Sequence, residues 1–369
     1  MEIRNIKLYN FRNYKALDEK FFSGFNIIYG HNGQGKTNIL EAVFLCASGR
    51  SHRTKKDREL VLIGQNNYYI KINFDRRKAN SEIEISYSNE EKRKIKVNGN
   101  TIKKIAEMIG ILNVVIFSPE DLLVIKEGPS ERRRFFDITL SQIKPSYFYN
   151  LQQYSKILIQ RNNLLKEIQN NISLEDTLEV WNNQLVKTGS AIMAERKKFI
   201  DKLSEYAGKY HARLTDGNEE LTLKYSSSIS TDYYDIGSIE KAFYKKIVNL
   251  EKIEKIKGMT LFGPQRDDYE IYINEKNVKT YGSQGQQRTA VLSVKLAEID
   301  IMKEQSGEYP ILLLDDVMSE LDVKRREYLM KNLNEIQTFI TCTEKEMFEE
   351  MKELKAVYYN VDNGQIYKY

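Results

Sequence analysis

The sequence predicts an α/β protein in which a lobe built on a mixed sheet is interrupted by a lobe of helices. A glycine-rich loop at residues 30–37 lies between an apolar run and a helical pattern, and residues 310–316 form a second apolar run that ends in two carboxylates. Between these motifs the apolar spacing is mostly helical. We therefore assign residues 1–128 and 259–369 to the first lobe and residues 129–258 to an inserted helical lobe.

Composition restricts the class of protein. The chain has 369 residues, of which 41% are hydrophobic, so it can bury a sizeable core. It contains no run of about 18 apolar residues, and its first residues lack the apolar region of a signal peptide, which predicts a cytoplasmic protein without a membrane span. Cys46 and Cys342 lie far apart without a C-x-x-C pattern, which argues against a disulfide framework or a zinc site.

The first elements lead into the glycine-rich loop. Alternating apolar residues at Ile6 and Leu8 predict a strand, and Phe25–Tyr29 predicts a second strand directly before the loop. The loop fits G-x-x-x-x-G-K-[ST], the pattern of a phosphate-binding loop. Its glycines let backbone N–H groups surround phosphate oxygens, and the helix that starts near Lys36 adds its positive end.

The same loop predicts roles for individual residues. Lys36 is expected to reach the β- and γ-phosphates of a nucleotide, and Thr37 is expected to offer its hydroxyl to Mg²⁺. The expected nucleotide contacts are Gly30, His31, Asn32, Gly33, Gln34, Gly35, Lys36 and Thr37.

Basic residues concentrate in the N-terminal third. Residues 50–104 hold 15 Lys and Arg against 7 Asp and Glu, whereas the whole chain carries a net charge of only +5. Segments 53–58, 76–78 and 92–96 fit two interpretations, a patch that binds the phosphate backbone of nucleic acid or an ordinary solvated face.

An antiparallel β meander is predicted between residues 68 and 102. Apolar and polar residues alternate in this stretch, and Asn98-Gly99 is a typical two-residue hairpin turn. The short apolar run Val114–Phe117 then predicts a buried strand.

Helical spacing dominates the predicted insertion. Residues 150–168 and 178–210 carry apolar stripes, which we expect to form the core of a helix bundle rather than a partner surface. Residues 173–176 resemble a capping box before the second of these helices. His211 has no companion metal ligand and is expected to be structural. Alternation returns at residues 269–273, where we expect the first lobe to have resumed.

The run at residues 310–316 completes the predicted nucleotide site. Four consecutive apolar residues predict a strand buried in a parallel sheet, and Asp315 and Asp316 follow at its end. Asp315 is expected to hold Mg²⁺ through its water shell, together with Thr37. Asp316 is expected to orient the attacking water, so Asp316 and Lys36 are the predicted catalytic residues.

A serine-glycine-glutamine motif opens a further helix. Ser283 and Gly285 precede apolar residues at helical spacing, so they lie at the positive end of that helix. This position fits a second phosphate contact or a capped, solvent-exposed helix start.

Together with residues 10–14, these motifs resemble the SMC-like branch of the ABC ATPases, and more closely the RecF family. The family signals are FSPEDL at residues 117–122, GPSERRRFFD at residues 128–137 and LLDDVMSELD at residues 313–322. The resemblance extends from residue 1 to about residue 345.

The resemblance implies an ABC-type ATPase lobe that uses ATP and Mg²⁺. In such proteins a second subunit supplies the signature, which corresponds to Ser283, Gly285 and Gln286, and a head-to-tail homodimer closes over two ATP molecules. The resemblance also implies weak, DNA-dependent ATP hydrolysis and binding to single-stranded and gapped DNA in repair and replication. The implied partners are RecO and RecR, which cooperate in placing RecA on DNA.

The chain departs from the family pattern at Gln265, where histidine is usual. Residues 340–343 lack the switch histidine of ABC proteins at large, and Asp316 replaces their glutamate, which implies slow hydrolysis. Two other classes stay open: an ABC-type subunit that drives another partner, and an SMC-like structural linker. The longest apolar stripe covers about 30 residues, or roughly 45 Å of helix, which is short for a coiled-coil arm.

Overall fold

The structure, a computed structural model, describes residues 1–349 and 355–369. Its strands are β1 (Glu2–Phe11), β2 (Tyr14–Lys20), β3 (Phe25–Tyr29), β4 (Asn67–Arg76), β5 (Ala79–Ser88), β6 (Lys92–Val97), β7 (Asn100–Ile102), β8 (Val114–Phe117), β9 (Leu221–Ser226), β10 (Asp268–Ile273), β11 (Lys276–Asn277), β12 (Ile311–Asp315), β13 (Thr338–Cys342), β14 (Ala356–Asp362) and β15 (Gln365–Lys368). Its α-helices are α1 (Lys36–Ser48), α2 (Leu123–Lys126), α3 (Pro129–Ile143), α4 (Pro145–Ile168), α5 (Leu178–Leu214), α6 (Ile236–Lys257), α7 (Val278–Tyr281), α8 (Gln284–Ser306), α9 (Val323–Asn332) and α10 (Glu346–Glu349). None of the helices in the described part of the chain has the length and apolar character that crossing a bilayer requires.

The chain divides into two units. The first contains residues 1–121 and 298–369, and the second contains residues 122–297. The helical segment predicted at residues 129–258 lies inside the second unit, which extends beyond it at both ends.

The first unit contains an antiparallel sheet in the order β2-β1-β4-β5-β6-β7. On β4 and β5 the buried apolar side chains alternate along the strand, as a period of two predicts, and Ile70, Ile72 and Phe74 of β4 are fully buried. The predicted hairpin turn is confirmed, because Asn98 and Gly99 have φ values of 48° and 78° and β6 pairs with β7 across them. Strand β2 was not predicted, because its burial does not alternate.

The second sheet of this unit carries the glycine-rich loop. Its order is β15-β14-β3-β13-β12-β8, with parallel pairing from β14 to β8 and antiparallel β15 at the edge. Every residue of β8 and β12 is buried, as expected for strands covered on both faces. Helix α1 contacts β8, β12 and β13 of this sheet and β4 and β5 of the antiparallel sheet, so it lies between the two sheets.

The second unit combines helices with a small sheet. Helices α4, α5 and α6 pack against one another, and β9 packs against α5. The alternation predicted at residues 269–273 is confirmed as part of β10, but β10 pairs with β9 and β11. The first unit therefore resumes at residue 298 and not at residue 259.

The predicted capping box at residues 173–176 is wrong. These residues lie in a 3-10 turn in which the side chain of Asn171 accepts a hydrogen bond from the backbone N–H of Ser173. Helix α5 begins afterwards, at Leu178, without a side-chain cap. The side chain of Asn171 therefore caps the 3-10 turn, and residues 173–176 do not form a capping box for α5.

The helices of the second unit enclose a buried ion pair. Arg161 of α4 and Glu254 of α6 are both fully buried, and the Nη2 and Oε2 atoms of the two side chains lie 2.7 Å apart. Arg161 also donates to Asn182 and Thr260, so each of its three side-chain nitrogens has a hydrogen bond within the protein.

Candidate nucleotide-binding site

The loop between β3 and α1 adopts a conformation that requires glycine. Gly30 and Gly35 have φ values of 145° and 116°, which residues with side chains rarely adopt. A Cβ atom on Gly30 would lie 2.4 Å from the carbonyl oxygen of Val361, and one on Gly35 would lie 2.5 Å from the side-chain nitrogen of Asn13. The loop therefore has the close backbone packing that the motif predicts. His31, Asn32 and Gly33 are exposed at its tip.

Lys36 is the buried cation of this loop. Its Nζ donates to the carbonyl oxygens of Gly30 at 2.6 Å and His31 at 2.9 Å, so the ammonium group folds over the loop. Burial lowers the pKa of Lys36, while Asp316, Cys342 and Asp315 act in the opposite direction. An anionic phosphate here would give the ammonium a stronger acceptor than these carbonyl oxygens.

Thr37 and Asp315 meet at the carboxyl end of the parallel sheet. Thr37 Oγ1 donates to Asp315 Oδ1 at 2.8 Å, and Thr341 Oγ1 donates to the same oxygen at 2.8 Å. Hydroxyl and carboxylate oxygens are hard ligands that suit Mg²⁺. The described residues contain no group of three or more His, Cys, Asp or Glu side chains that could hold a metal, so a cation at this position would need water and phosphate as further ligands.

Asp316 follows Asp315 in a left-handed conformation, with φ 55° and ψ 19°. Its backbone N–H donates to Thr341 Oγ1 at 3.0 Å, which fixes the turn after β12. Burial and the neighbouring Asp315 raise the pKa of the Asp316 carboxyl, whereas Lys36 lowers it. A carboxylate with a raised pKa at this position is suited to accept a proton from water.

The segment at residues 10–14, one of the family signals, contacts the phosphate-binding loop. Asn13 Nδ2 donates to the carbonyl oxygen of Gln34 at 2.6 Å, and Tyr14 OH donates to that of Gly35 at 3.1 Å. Arg12 pairs with Glu41 of α1 through two hydrogen bonds of 2.8 and 2.6 Å. These roles were missed, although the polar run directly after β1 was visible in the sequence.

The hairpin between β14 and β15 supports the other side of the loop. The backbone N–H of Asn363 donates to Gln34 Oε1 at 2.6 Å, and that of Gly364 donates to the Gln34 carbonyl oxygen at 3.2 Å. The side chain of Gln34, predicted to contact nucleotide, is therefore engaged by the protein itself. Nothing in the local sequence connects residue 34 with residue 363.

The remaining predicted site residues belong to the second unit. Ser283 precedes α8, with Gly285 and Gln286 in its first turn. Ser283 Oγ accepts from the Gln286 N–H at 3.2 Å, and Gln286 Oε1 accepts from the Ser283 N–H at 2.9 Å. This reciprocal pair is a capping box, so the capped helix start considered for this motif is present.

Arg93, in one of the basic segments considered for nucleic-acid binding, contacts other residues of the first unit. Arg93 donates to the carbonyl oxygen of Gly49 at 2.5 Å and forms an ion pair with Asp57. It lies on the buried side of β6, whereas Lys92, Lys94 and Lys96 alternate with it and are exposed. Lys55, Lys56 and Arg58 are also exposed.

The three consecutive arginines of the family signal at residues 128–137 contact groups within the second unit. Arg132 pairs with Asp268 through two hydrogen bonds of 2.7 Å, and Arg133 donates to the carbonyl oxygen of Asp267 at 2.6 Å. Arg134 forms an ion pair with Glu131, with 3.6 Å between Nη1 and Oε2. Asp137 of the same helix pairs with Arg196 at 2.9 Å.

Gln265, the departure from the family pattern, has a structural contact. Its Oε1 accepts from Tyr154 OH at 2.5 Å, and its Nε2 donates to the carbonyl oxygen of Phe262 at 2.7 Å. The side chain therefore ties its own turn to helix α4.

Known proteins share both the sequence and the fold. The family of RecF/RecN/SMC N-terminal domains matches residues 2–365. The DNA replication and repair protein RecF of Acetivibrio thermocellus is 53% identical over 100% of both chains, and that of Ruminiclostridium cellulolyticum is 49% identical over 100% of this chain and 99% of the relative. A solved structure of the recombination mediator protein RecF with ATP, in the RecFOR pathway, has a TM-score of 0.92 and 37% identity, over 100% of this chain and 97% of that chain.

These relatives and the solved structure match this chain over its full length and over 97–100% of their own. They confirm the predicted fold class, an α/β ATPase fold with mixed sheets, an antiparallel meander and a long helical insertion. They also confirm the resemblance found in the motifs. The chain belongs to the RecF family.

Proposed function

We propose that the chain is an ATP-dependent DNA-binding protein of recombinational repair and replication-fork maintenance. It binds ATP and Mg²⁺ at the loop of residues 30–37, dimerises while ATP is bound, and hydrolyses ATP slowly. The observation that carries the proposal is the 2.8 Å hydrogen bond between Thr37 of this loop and Asp315 at the end of β12. The 37% identical RecF structure with ATP supports the choice of nucleotide.

Four residues of the first unit have separate roles in ATP binding and hydrolysis. Thr37 and Asp315 would hold Mg²⁺, and the bound ion would supply positive charge against the phosphates. Lys36 turns from the loop carbonyls to the β- and γ-phosphates. Asp316 orients the attacking water and accepts its proton, for which its raised pKa suits it. Because an aspartate reaches less far than the glutamate of related ATPases, turnover is slow.

The signature acts in the partner subunit's site. Ser283 and Gly285 lie at the start of the 23-residue helix α8 and are exposed, so the positive helix end is open to a phosphate. In the homodimer each chain contributes its loop to one ATP and its signature to the other. ATP therefore joins the two subunits, and its hydrolysis allows them to separate.

DNA binds through exposed lysines of the first unit. Lys92, Lys94 and Lys96 share one side of β6, and Lys55, Lys56 and Arg58 are exposed in the segment before β4. Contacts of this kind neutralise backbone phosphates without reading bases. We propose binding to single-stranded and gapped DNA, and stimulation of ATP hydrolysis by DNA.

RecO and RecR are the proposed protein partners, and RecA is the protein that they help to place. The relatives named DNA replication and repair protein RecF, and the RecFOR pathway of the solved relative, support this assignment.

Sedimentation tests the proposal directly. We expect a dimer with ATP and a monomer with ADP or without nucleotide, and gapped DNA should favour the dimer further. A chain that stays monomeric in every condition would contradict ATP-dependent dimerisation. A separate measurement is the rate of ATP hydrolysis with and without DNA. If DNA does not change this rate, the chain is better described as an ATPase that drives another partner.

Mixed variants test whether the signature acts between subunits. Ser283→Arg should leave nucleotide binding by the monomer intact and block dimerisation. Mixing it with Lys36→Ala should restore up to one working site, formed by the intact loop of one chain and the intact signature of the other. Normal hydrolysis by monomeric Ser283→Arg protein would exclude this mechanism.

A further inference from the structure

The amide of Gln286 has a fixed orientation. Because its Oε1 accepts from the backbone N–H of Ser283, its Nε2 must point away from the capping box. There Nε2 donates to Glu219 Oε1 at 2.8 Å. The glutamine of the signature is therefore bound at both ends of its amide by its own chain.

Glu219 connects this helix start to the interior of the second unit. Its other oxygen, Oε2, lies 2.9 Å from Nε2 of His211, which is fully buried near the end of α5. Nδ1 of His211 lies 3.2 Å from Ser293 Oγ, and the Ser293 hydroxyl donates to the carbonyl oxygen of Thr289 in α8. The chain of hydrogen bonds thus leaves α8 at Gln286 and returns to it at Ser293.

The backbone before Glu219 holds the carboxylate in place. Helix α5 ends in a turn in which the N–H of Gly217 donates to Ala212 O at 2.7 Å and the N–H of Asn218 donates to Thr215 O at 3.1 Å. The N–H of the next residue, Glu220, donates to Asn274 Oδ1 at 2.8 Å, and the N–H of Asn274, directly after β10, donates to Glu220 O at 2.9 Å. Glu219 is therefore fixed on both sides along the chain.

We propose that Glu219 is a positioning residue for the composite ATP site: it holds the Gln286 amide and thereby the helix start that presents Ser283 and Gly285 to the partner subunit's nucleotide. This rests on the proposed action of the signature between subunits. In this proposal Gln286 stabilises the helix start through its hydrogen bonds and does not contact the nucleotide. Ser283 Oγ accepts from the Gln286 N–H, and its hydroxyl hydrogen has no acceptor among the described residues, so it can be donated to a phosphate.

The matched variants are Glu219→Ala, which removes the acceptor, and Glu219→Gln, which keeps an oxygen for the Gln286 amide. Glu219→Ala should lower kcat for ATP hydrolysis by about 10- to 100-fold, the cost of a small misplacement of a reacting group. ATP binding by the monomer should stay within about twofold, because the phosphate-binding loop keeps its own residues. Glu219→Gln should retain most of the rate.

Glu220→Ala is the control. It removes the neighbouring exposed carboxylate, whose residue contacts Asn274 through its backbone, and it should leave kcat unchanged. Gln286→Ala removes the same hydrogen bond from the solvent side and should reproduce the loss even if Glu219→Ala folds poorly. Normal turnover in Gln286→Ala would overturn the proposal.

Mixing separates this proposal from the one on which it rests. Glu219→Ala mixed with Lys36→Ala should regain activity, because the intact signature of the second chain completes the intact loop of the first. Suppose that mixing with Lys36→Ala restores the activity of Ser283→Arg. Glu219 then does not position the signature if Glu219→Ala has a normal kcat, or if Glu219→Ala loses activity that mixing does not restore. If Ser283→Arg itself is not rescued, the composite site is wrong and this proposal is overturned with it.

Discussion

Thr37 and Asp315 are joined by a hydrogen bond of 2.8 Å although 278 residues separate them. The contact brings together a residue at the start of α1, the helix that follows β3, and a residue at the end of β12. Strand β13 lies between β3 and β12 in the sheet. Thr341 of β13 donates to the same carboxylate oxygen and so completes the connection. The two expected Mg²⁺ ligands are therefore already adjacent in the fold.

Lys36→Ala should abolish ATP binding. The variant removes the buried ammonium group whose present acceptors are the carbonyl oxygens of Gly30 and His31, and with it the charge that offsets the β- and γ-phosphates. Titration calorimetry measures the affinity, with Lys55→Ala, which changes an exposed lysine of the same unit, as the control.

Lys36→Arg should bind ATP more weakly than the parent protein and hydrolyse it slowly, since a planar guanidinium does not fit a site shaped for an ammonium group. Equal affinity in Lys36→Ala and the parent protein would exclude the assigned role.

Asp316→Asn should stop hydrolysis and prolong the ATP-bound dimer. The amide cannot accept a proton from water, while nucleotide binding through Lys36 and Thr37 stays intact. Single-turnover hydrolysis and the lifetime of the dimer after dilution are the two measurements. A rate within about twofold of the parent protein would show that another residue orients the water.

The same substitution should change stability with pH. The pKa of Asp316 is raised in the folded protein by burial and by Asp315, so its ionised form destabilises the fold at pH values above both the folded and unfolded pKa. This penalty disappears as the pH falls below the ordinary aspartate pKa of about 3.9. Asp316→Asn should therefore raise the Tm of the nucleotide-free protein at pH 7 and lose this advantage near pH 4. Asp232→Asn, at an exposed position, is the control, and a lower Tm for Asp316→Asn at pH 7 would contradict the prediction.

Charge reversal should weaken DNA binding for all sequences about equally. Lys94→Glu with Lys96→Glu, and Lys55→Glu with Lys56→Glu, remove exposed cations of the first unit and should lower the slope of log K against log salt by about one for each lost phosphate contact. Lys187→Glu with Lys209→Glu changes two exposed lysines of α5 by the same charge and is the control. An unchanged slope in the first two pairs would move the DNA site elsewhere.

Glu254→Ala should destabilise the second unit by about 3–5 kcal/mol, because it leaves the fully buried guanidinium of Arg161 without its carboxylate. Replacing both residues by methionine should recover much of this loss, since the buried charge then disappears. Urea unfolding of the two variants measures the difference. A double variant no more stable than Glu254→Ala would show that the pair contributes through its hydrogen bonds to Asn182 and Thr260.

Sequence patterns predict those parts of the fold and the site for which neighbouring residues carry the whole signal. The loop at residues 30–37 and the run at residues 310–316 each place their chemistry on one strand end and the turn that follows, so a local pattern describes them. The pairing of strands that are distant in sequence leaves no such local pattern. The alternation in β10 predicts a strand but not that its neighbours are β9 and β11.

Support for the loop could not be predicted for the same reason. Asn13 and Asn363 reach Gln34 from opposite ends of the chain, and hydrogen bonds to a backbone carbonyl or an amide leave no pattern in the sequence. The hairpin between β4 and β5 turns at Arg77 and Lys78, with φ values of 48° and 64°, although neither residue is typical of such a turn. Tertiary contacts determine the backbone there, as the bond from the Arg77 N–H to Glu308 indicates.

The strand order around β3 also bears on how the protein is made. β3 lies between β13 and β14, and the first residue of β13, Thr338, follows the last residue of β3, Tyr29, by more than 300 positions. During translation the strand that carries the phosphate-binding loop therefore leaves the ribosome long before either parallel neighbour has been synthesised. An apolar strand with both edges unpaired is exposed to aggregation during this interval. A fragment that ends before β13 should not form the nucleotide site, because β3 then lacks both of its neighbours.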